Sequence, residues 1–348
     1  MTVFIKTKPI SKKSVMKENR FMRTLSVQYM LPNLKIMGIR VEELGIPLTV
    51  FDNPMTLIPA KEMDRWFERL IEQSKDPDIV LSACTDIELS KMGLLGRWIF
   101  SCNDLALIIR RLSFGLGCLQ SGAFFSGKKT RSFIKWTYTS KNFGPSTIVH
   151  ESIRMAILMH KVLTFCLGKS FAPVKLRLPG QMVNSQKYES YFGCEIEWNQ
   201  PCIEFWINAN YRFTSYQVAS DFKAKLAMST FDLEELLNMP DPEDELKVIY
   251  EVINYARHFG LPKVSKVAYL LDISEQQLYR VLQHHSLNFS TLTDYVLSNL
   301  AVEYLKEGMS GAEIAPRLGY SNEQSFERMF KRNRGITPKQ FQKHYRIG

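Results

Sequence analysis

The sequence has no CxxC pair, no cluster of histidines and no unbroken apolar run long enough to cross a bilayer. Its six cysteines (Cys84, Cys102, Cys118, Cys166, Cys194, Cys202) sit singly among apolar neighbours, as reduced core thiols do, and not in the spacing of a zinc site. His150 and His160 are equally isolated, so neither a metal nor a cofactor is expected. The N-terminus lacks the apolar core of a secretory signal, and the most apolar region, Met92 to Phe125, is interrupted by Arg97, Asp104, Arg110 and Arg111. A cytoplasmic protein without a membrane partner is the expectation. No Ser/His/Asp set or carboxylate pair stands out, which argues against an enzyme. Gly122 to Thr130 (GAFFSGKKT) almost fits the GxxxxGK[ST] phosphate loop, but Lys129 replaces the magnesium-binding hydroxyl and the aromatic flanks read as a hairpin. Gly115 and Gly117 lack the third glycine of a dinucleotide fingerprint.

What is in excess is positive charge. Against 35 acidic side chains stand 45 lysines and arginines, a net +10 with a pI near 9.2. This balance favours an anionic partner: nucleic acid, an acidic membrane surface or an anionic small molecule. Residues 1–19 form a basic tail that either touches phosphate or is simply solvated; Lys6, Lys8, Lys12, Lys13 and Lys17 face only Glu18 there. The length suggests two domains at about 100–200 residues each. The clearest composition break spans 228–245, where Pro240 and Pro242 stop any helix. A multi-domain chain follows, with an α+β domain at 20–227, a linker at 228–245 and an all-α domain at 246–348.

Within 20–227 the periods are mixed. Glu62 to Gln73 places Met63, Trp66, Phe67, Leu70 and Ile71 on one helical face, and Asn103 to Leu112 does the same with Leu105, Ile108, Ile109 and Leu112. Strands are expected at Ala123 to Phe125, Ser132 to Thr139 and Cys202 to Ile207, and further helices at Thr147 to Leu167 and Val218 to Met228. Lys128, Arg131, Lys135 and Tyr138, with Lys129 and Trp136, make a basic aromatic strip that faces an anionic effector or is an exposed strand face.

The all-α domain carries two similar helix-turn-helix units, at 264–285 and 312–334. In the first, Val264 to Leu271 turns inward Val267, Ala268 and Leu271; Asp272 to Ser274 makes the turn, with Ser274 as N-cap; and Glu275 to His284 buries Leu278 and Leu282. In the second, Ala312 to Leu318 is followed by Gly319, Tyr320 and Ser321 and then by a helix with Phe326 and Phe330 inward. Ala268 and Ala315 allow close helix crossing, and Gly319 suits a tight left-handed turn. The pattern leaves Gln276, Gln277 and Arg280, and likewise Glu323, Gln324 and Arg328, on outer faces. Gln pairs bidentately with adenine and Arg with guanine, so these are expected base readers. Thr291 to Glu307 is periodic enough for one long helix joining the units, which would set the recognition helices roughly 34 Å apart in successive major grooves of an asymmetric site. Lys331, Arg332, Arg334 and Lys339 are expected phosphate contacts. Thr337 and Pro338 open a last helix, and His284 and His285 either touch phosphate or balance a helix end.

The stretch IAPRLGYSNEQSFERMFKRNRGITPKQFQKHY closely resembles the C-terminal signature of AraC/XylS transcriptional regulators. It departs at Pro316, inside the scaffold helix, and at Gln342, where an Arg is usual. More loosely, MGLLGRWIFSCNDLALIIRRL and KYESYFGCEIEWNQPCIEFWINANY resemble the arabinose-binding-type sensor domain carried by a subset of that family. The resemblance implies a sequence-specific, nucleoid-associated transcription regulator, an activator in keeping with the family, whose N-terminal domain senses a small-molecule effector or dimerises. The implied partners are double-stranded DNA, RNA polymerase, an effector and a second copy of the chain. An effector-independent architectural or silencing DNA-binding protein is the alternative. Relatives that run DNA-repair chemistry on a metal-bound cysteine need a cysteine cluster that this sequence lacks.

Overall fold

The computed structural model describes residues 19–102, 104–214, 233 and 237–347. The basic segment 1–18, the helix expected at 218–228, and positions 228–232 and 234–236 of the expected linker lie outside them. The chain divides into two compact units, Arg20–Met239 and Pro240–Gly348. Among the described residues no helix is long and apolar enough to cross a membrane.

The first unit is α+β. Strands β1 (Phe21–Arg23) and β2 (Leu57–Pro59) pair antiparallel. Helices α1 (Leu31–Ile36), α2 (Ala60–Ser74), α3 (Ile79–Cys84), α4 (Gly93–Phe100) and α5 (Leu105–Leu119) follow. The apolar face read for α2 is the buried one, with Met63, Trp66, Phe67 and Leu70 in the core. Helix α5 starts where Asp104 accepts the Leu107 amide at 2.8 Å, an ordinary N-cap. A five-stranded sheet comes next, ordered β3 (Ala123–Lys129), β4 (Phe133–Ser140), β7 (Ile203–Asn208), β5 (Lys175–Arg177), β6 (Ile196–Glu197); only β5 and β6 run parallel. Between β4 and β5 lies α6 (Ile148–Leu167), and α7 (Ser185–Phe192) precedes β6.

Strand alternation gives this sheet two different faces. Trp136, Tyr138, Leu176, Ile203, Phe205 and Ile207 are buried. The opposite face carries Lys135 above the Trp206 ring at 3.8 Å, and Glu197 bridging Lys175 and Arg177. Helix α6 is buried along most of its length, so its charged residues need internal partners. Arg154 donates from Nε and Nη2 to the two Glu151 oxygens, each at 2.7 Å, and from Nη1 to the Ser26 carbonyl at 2.7 Å. Tyr138 donates to Glu151 at 2.8 Å. Removing one member of such a buried pair costs about 3–5 kcal/mol.

The second unit is all-α. A lead helix (Glu245–Ala256) packs against the first scaffold helix (Val264–Leu271) and the connector helix (Phe289–Lys306). The first recognition helix is Glu275–His284; the second unit comprises Gly311–Arg317 and Glu323–Arg334, and Pro338–Ile347 ends the chain. Leu297, Ala301 and Leu305 of the connector share one buried cluster with Ile314, Ala315, Leu318, Phe326, Met329 and Phe330. The connector is thus a structural element of the second helix-turn-helix as well as a spacer.

Candidate nucleic-acid interface

Both turns close by the same hydrogen bonds. In the first, Asp272 N–H donates to Tyr269 O and Ile273 N–H to Ala268 O, both at 3.1 Å. In the second, Gly319 N–H donates to Pro316 O at 3.1 Å and Tyr320 N–H to Ala315 O at 2.9 Å. Asp272 (φ 57°) and Gly319 (φ 86°) take the left-handed conformation that reverses the chain. The N-caps then fall at Ser274 and Asn322, so the second turn is one residue longer. Gly319 has a second constraint: a Cβ there would lie 2.5–2.7 Å from the backbone of Gly260 and Leu261, which lead into the first unit. Arg257, buried in the same region, donates to the Arg317 carbonyl. The two helix-turn-helix units are therefore held directly against each other as well as through the connector.

Pro316 leaves the Ala312 carbonyl without its helical donor. Both residues are exposed, so water can serve that carbonyl, and Leu318 N–H resumes the ladder to Ile314 O at 3.1 Å. Gln342 donates through Nε2 to Met309 O at 2.7 Å, binding the last helix to the end of the connector.

The six expected base readers do not share one situation. Gln276 and Arg280 are exposed on the first recognition helix, and Gln324 and Arg328 occupy the matching exposed positions on the second. Gln277 turns back instead: its Oε1 accepts the Ser274 N–H at 2.8 Å while Ser274 Oγ accepts its amide at 3.1 Å, a reciprocal capping box. Glu323 also folds inward, its Oε1 occupying the space that a side chain at Gly311 would take. Both side chains are thus already engaged within the protein. Sequence reasoning passed over Tyr279 and Gln283, which are exposed at three and seven residues from Gln276 and complete the outer face with Arg280. The i, i+3, i+4, i+7 spacing was the available signal.

The expected phosphate contacts divide similarly. Lys331 and Lys339 are exposed. Arg332 is paired with Asp294 and Arg334 with the Asn299 side-chain oxygen, both on the connector, so these arginines brace the recognition helix against it. His285 lies 3.3 Å from Glu245 and is tied to the lead helix, whereas His284 is exposed.

In the first unit the basic aromatic strip is split. Lys128 and Lys135 are cross-strand partners on the outer sheet face, and Arg131 is exposed at the hairpin turn. Tyr138 and Trp136 belong to the opposite, buried face, because adjacent strand residues alternate. Tyr138 is therefore a core residue bound to Glu151 and not part of an effector surface. The near-phosphate loop is strand β3 and its turn.

Residues 41–212 match the model of the arabinose-binding domain of AraC transcription regulators, and residues 267–344 match a helix-turn-helix domain model. An ornithine utilization regulator of Pseudomonas aeruginosa is 24% identical over 204 residues, which are 58% of this chain and 59% of that protein. The chain thus spans about three-fifths of that relative's length, 59%. Among solved structures, the transcriptional regulator CdpR of P. aeruginosa is similar at 18% identity and TM-score 0.45, covering 92% of this chain and 98% of that one. A DNA-binding transcriptional dual regulator of Escherichia coli K-12 is similar at 18% identity and TM-score 0.26, covering 29% of this chain and 94% of that one. With a sensor-type domain model matched before a helix-turn-helix model, and the signature residues built into two paired units, the chain belongs to the AraC/XylS family of DNA-binding transcriptional regulators.

Proposed function

We propose that this protein binds double-stranded DNA at an asymmetric site, one chain inserting its two recognition helices into successive major grooves. Gln276, Tyr279, Arg280 and Gln283 read one half, and Gln324 and Arg328 the other, while Lys331 and Lys339 contact phosphate. The observation that carries this reading is the pair of exposed polar faces on the recognition helices of two units joined by a single connector. Two rigidly related readers in one chain need no palindrome. Arg332 and Arg334 exchange Asp294 and Asn299 for phosphate on binding. Residues 20–227 sense a small molecule or pair two copies of the chain, and the bound protein acts on RNA polymerase. The sheet face with Lys128, Arg131 and Lys135 is an anion-attracting surface of that domain.

Selection of genomic DNA fragments by the full-length protein at near-physiological salt tests this, with the double variant Arg280→Ala/Arg328→Ala in parallel. A short asymmetric motif recovered by the native protein and lost in the variant is the expected result. Equal, motif-free recovery by both would mean charge-driven binding, and an architectural or silencing role would replace the regulator reading.

A further inference from the structure

A cavity of about 800 Å³ lies within the first unit, between the N-terminal segment and helices α5 and α6. Five separate stretches of chain line it, and Leu116, Leu119, Met155 and Leu158 make its wall mainly apolar. That volume is in the range of small-molecule sites.

Its polar groups restrict what fits. Gln120, which lines the cavity, is 0% exposed, and its Oε1 has no hydrogen-bond partner. The amide orientation is fixed chemically. Tyr138 donates its proton to the Glu151 carboxylate, so its oxygen can only accept from Gln120, and Nε2 must lie on that side, at 3.4 Å. An acceptor is left over. Four of the five N–H donors of the buried Arg154 are engaged by Glu151, Ser26 O and Met155 Sδ, and its charge is offset by the Glu151 carboxylate, so little is left for an incoming carboxylate. The Tyr29 hydroxyl is turned to Cys84 Sγ at 3.8 Å. Around the cavity Asp52, Asp86 and Glu88 are exposed with Lys35, so the mouth is net acidic. An unpartnered buried acceptor and an acidic mouth both disfavour an anion.

We propose that this cavity is the effector site, and that its ligand is a predominantly apolar small molecule carrying a hydrogen-bond donor for Gln120 and no carboxylate. The proposal rests on the reading of residues 20–227 as a sensor domain. It places effector binding away from the basic sheet face around Lys128, Arg131 and Lys135. The inner end of the ligand donates to Gln120 Oε1, its body covers Leu116 and Leu158, and its outer end is neutral or cationic.

The test is thermal unfolding of the full-length protein with 1-octanol, octylamine and octanoate, which share one body and differ in charge. Octanol and octylamine are expected to raise Tm by about 3–5 °C at about ten times their Kd, and octanoate is not. Gln120→Leu should weaken octanol binding about tenfold, and Leu158→Trp, which fills the cavity, should abolish the octanol shift. A shift with octanoate equal to that with octanol, no shift with any of the three, or an octanol shift that survives in folded Leu158→Trp would each overturn the assignment. Fragment selection by the unliganded protein is read separately. A DNA motif recovered without any ligand-induced shift removes this site and leaves the DNA-binding reading standing, and the reverse pair of results does the opposite.

Discussion

The two helix-turn-helix units share one hydrogen-bond scheme and differ in what they spend their side chains on. The first recognition helix balances Glu275 with Arg280 and presents uncharged readers, Gln276, Tyr279 and Gln283. The second sets Arg328, Lys331, Arg332 and Arg334 against Glu323 and Glu327, so it carries the surplus of positive charge. Hydrogen-bonding side chains suit base discrimination, and surplus cations suit phosphate anchoring. The comparison teaches that a duplicated scaffold need not present duplicate surfaces: under the proposed reading, the first unit would be the more selective reader and the second the stronger anchor.

The largest effect is expected at the turns. Gly319→Ala places a Cβ in the left-handed region and against the Gly260–Leu261 backbone, which should cost about 2–4 kcal/mol of stability in chemical denaturation. Asp272 holds the same conformation in the first unit with a side chain already in place, and Asp272→Gly should change stability by at most about 1 kcal/mol. Equal costs at the two sites would remove the asymmetry argued from the Gly260 contact.

A sharper cut separates neighbours on the first recognition helix. Gln276→Ala should leave stability within about 0.5 kcal/mol and relax one base position by about 1–3 kcal/mol, measured by competition among single-base site variants. Gln277→Ala should do the reverse, losing about 0.5–1 kcal/mol of stability from the broken capping box while keeping the base preference. A changed base preference in Gln277→Ala would return that residue to the interface.

The smallest effect is in the pH dependence of the scaffold helices. The Ser310 backbone N–H, and then its hydroxyl, bind the Glu313 carboxylate at 2.8 and 2.7 Å and hold its pKa below the ordinary carboxylate value. A depressed carboxylate stabilises the fold above its unfolded pKa, and that contribution is lost as pH falls through the folded value. The second scaffold helix should therefore fray on acidification. The first unit's capping box uses Gln277, which does not titrate, and lacks this dependence. Glu313→Gln should flatten the fall of Tm between pH 5 and pH 3, and an unchanged slope would detach Glu313 from it.

Much of this architecture is legible in the sequence because its causes are local. Helical periodicity gives the connector and both units, Ser274 and Thr337 mark helix starts, and Gly319 marks a turn. The site is less legible where side chains have two possible employments. A glutamine three residues after a serine N-cap reads equally as a base reader and as a capping partner, and Gln277 is the latter. Arg332 and Arg334 look free in the sequence because Asp294 and Asn299 lie a connector away. The strip at Lys135, Trp136 and Tyr138 failed as one surface for a simpler reason: contiguous strand residues point to opposite faces. The cavity beside Gln120 left no pattern at all, since five distant segments build it.

The central claim is that each unit reads its own half of one asymmetric site. It is tested most directly by comparing the DNA motifs selected by the native protein, Arg280→Ala and Arg328→Ala, each as the full chain. The account predicts a two-part motif from the native protein, with one part blurred in Arg280→Ala and the other in Arg328→Ala. The same part blurred by both variants, or neither affected, would contradict it.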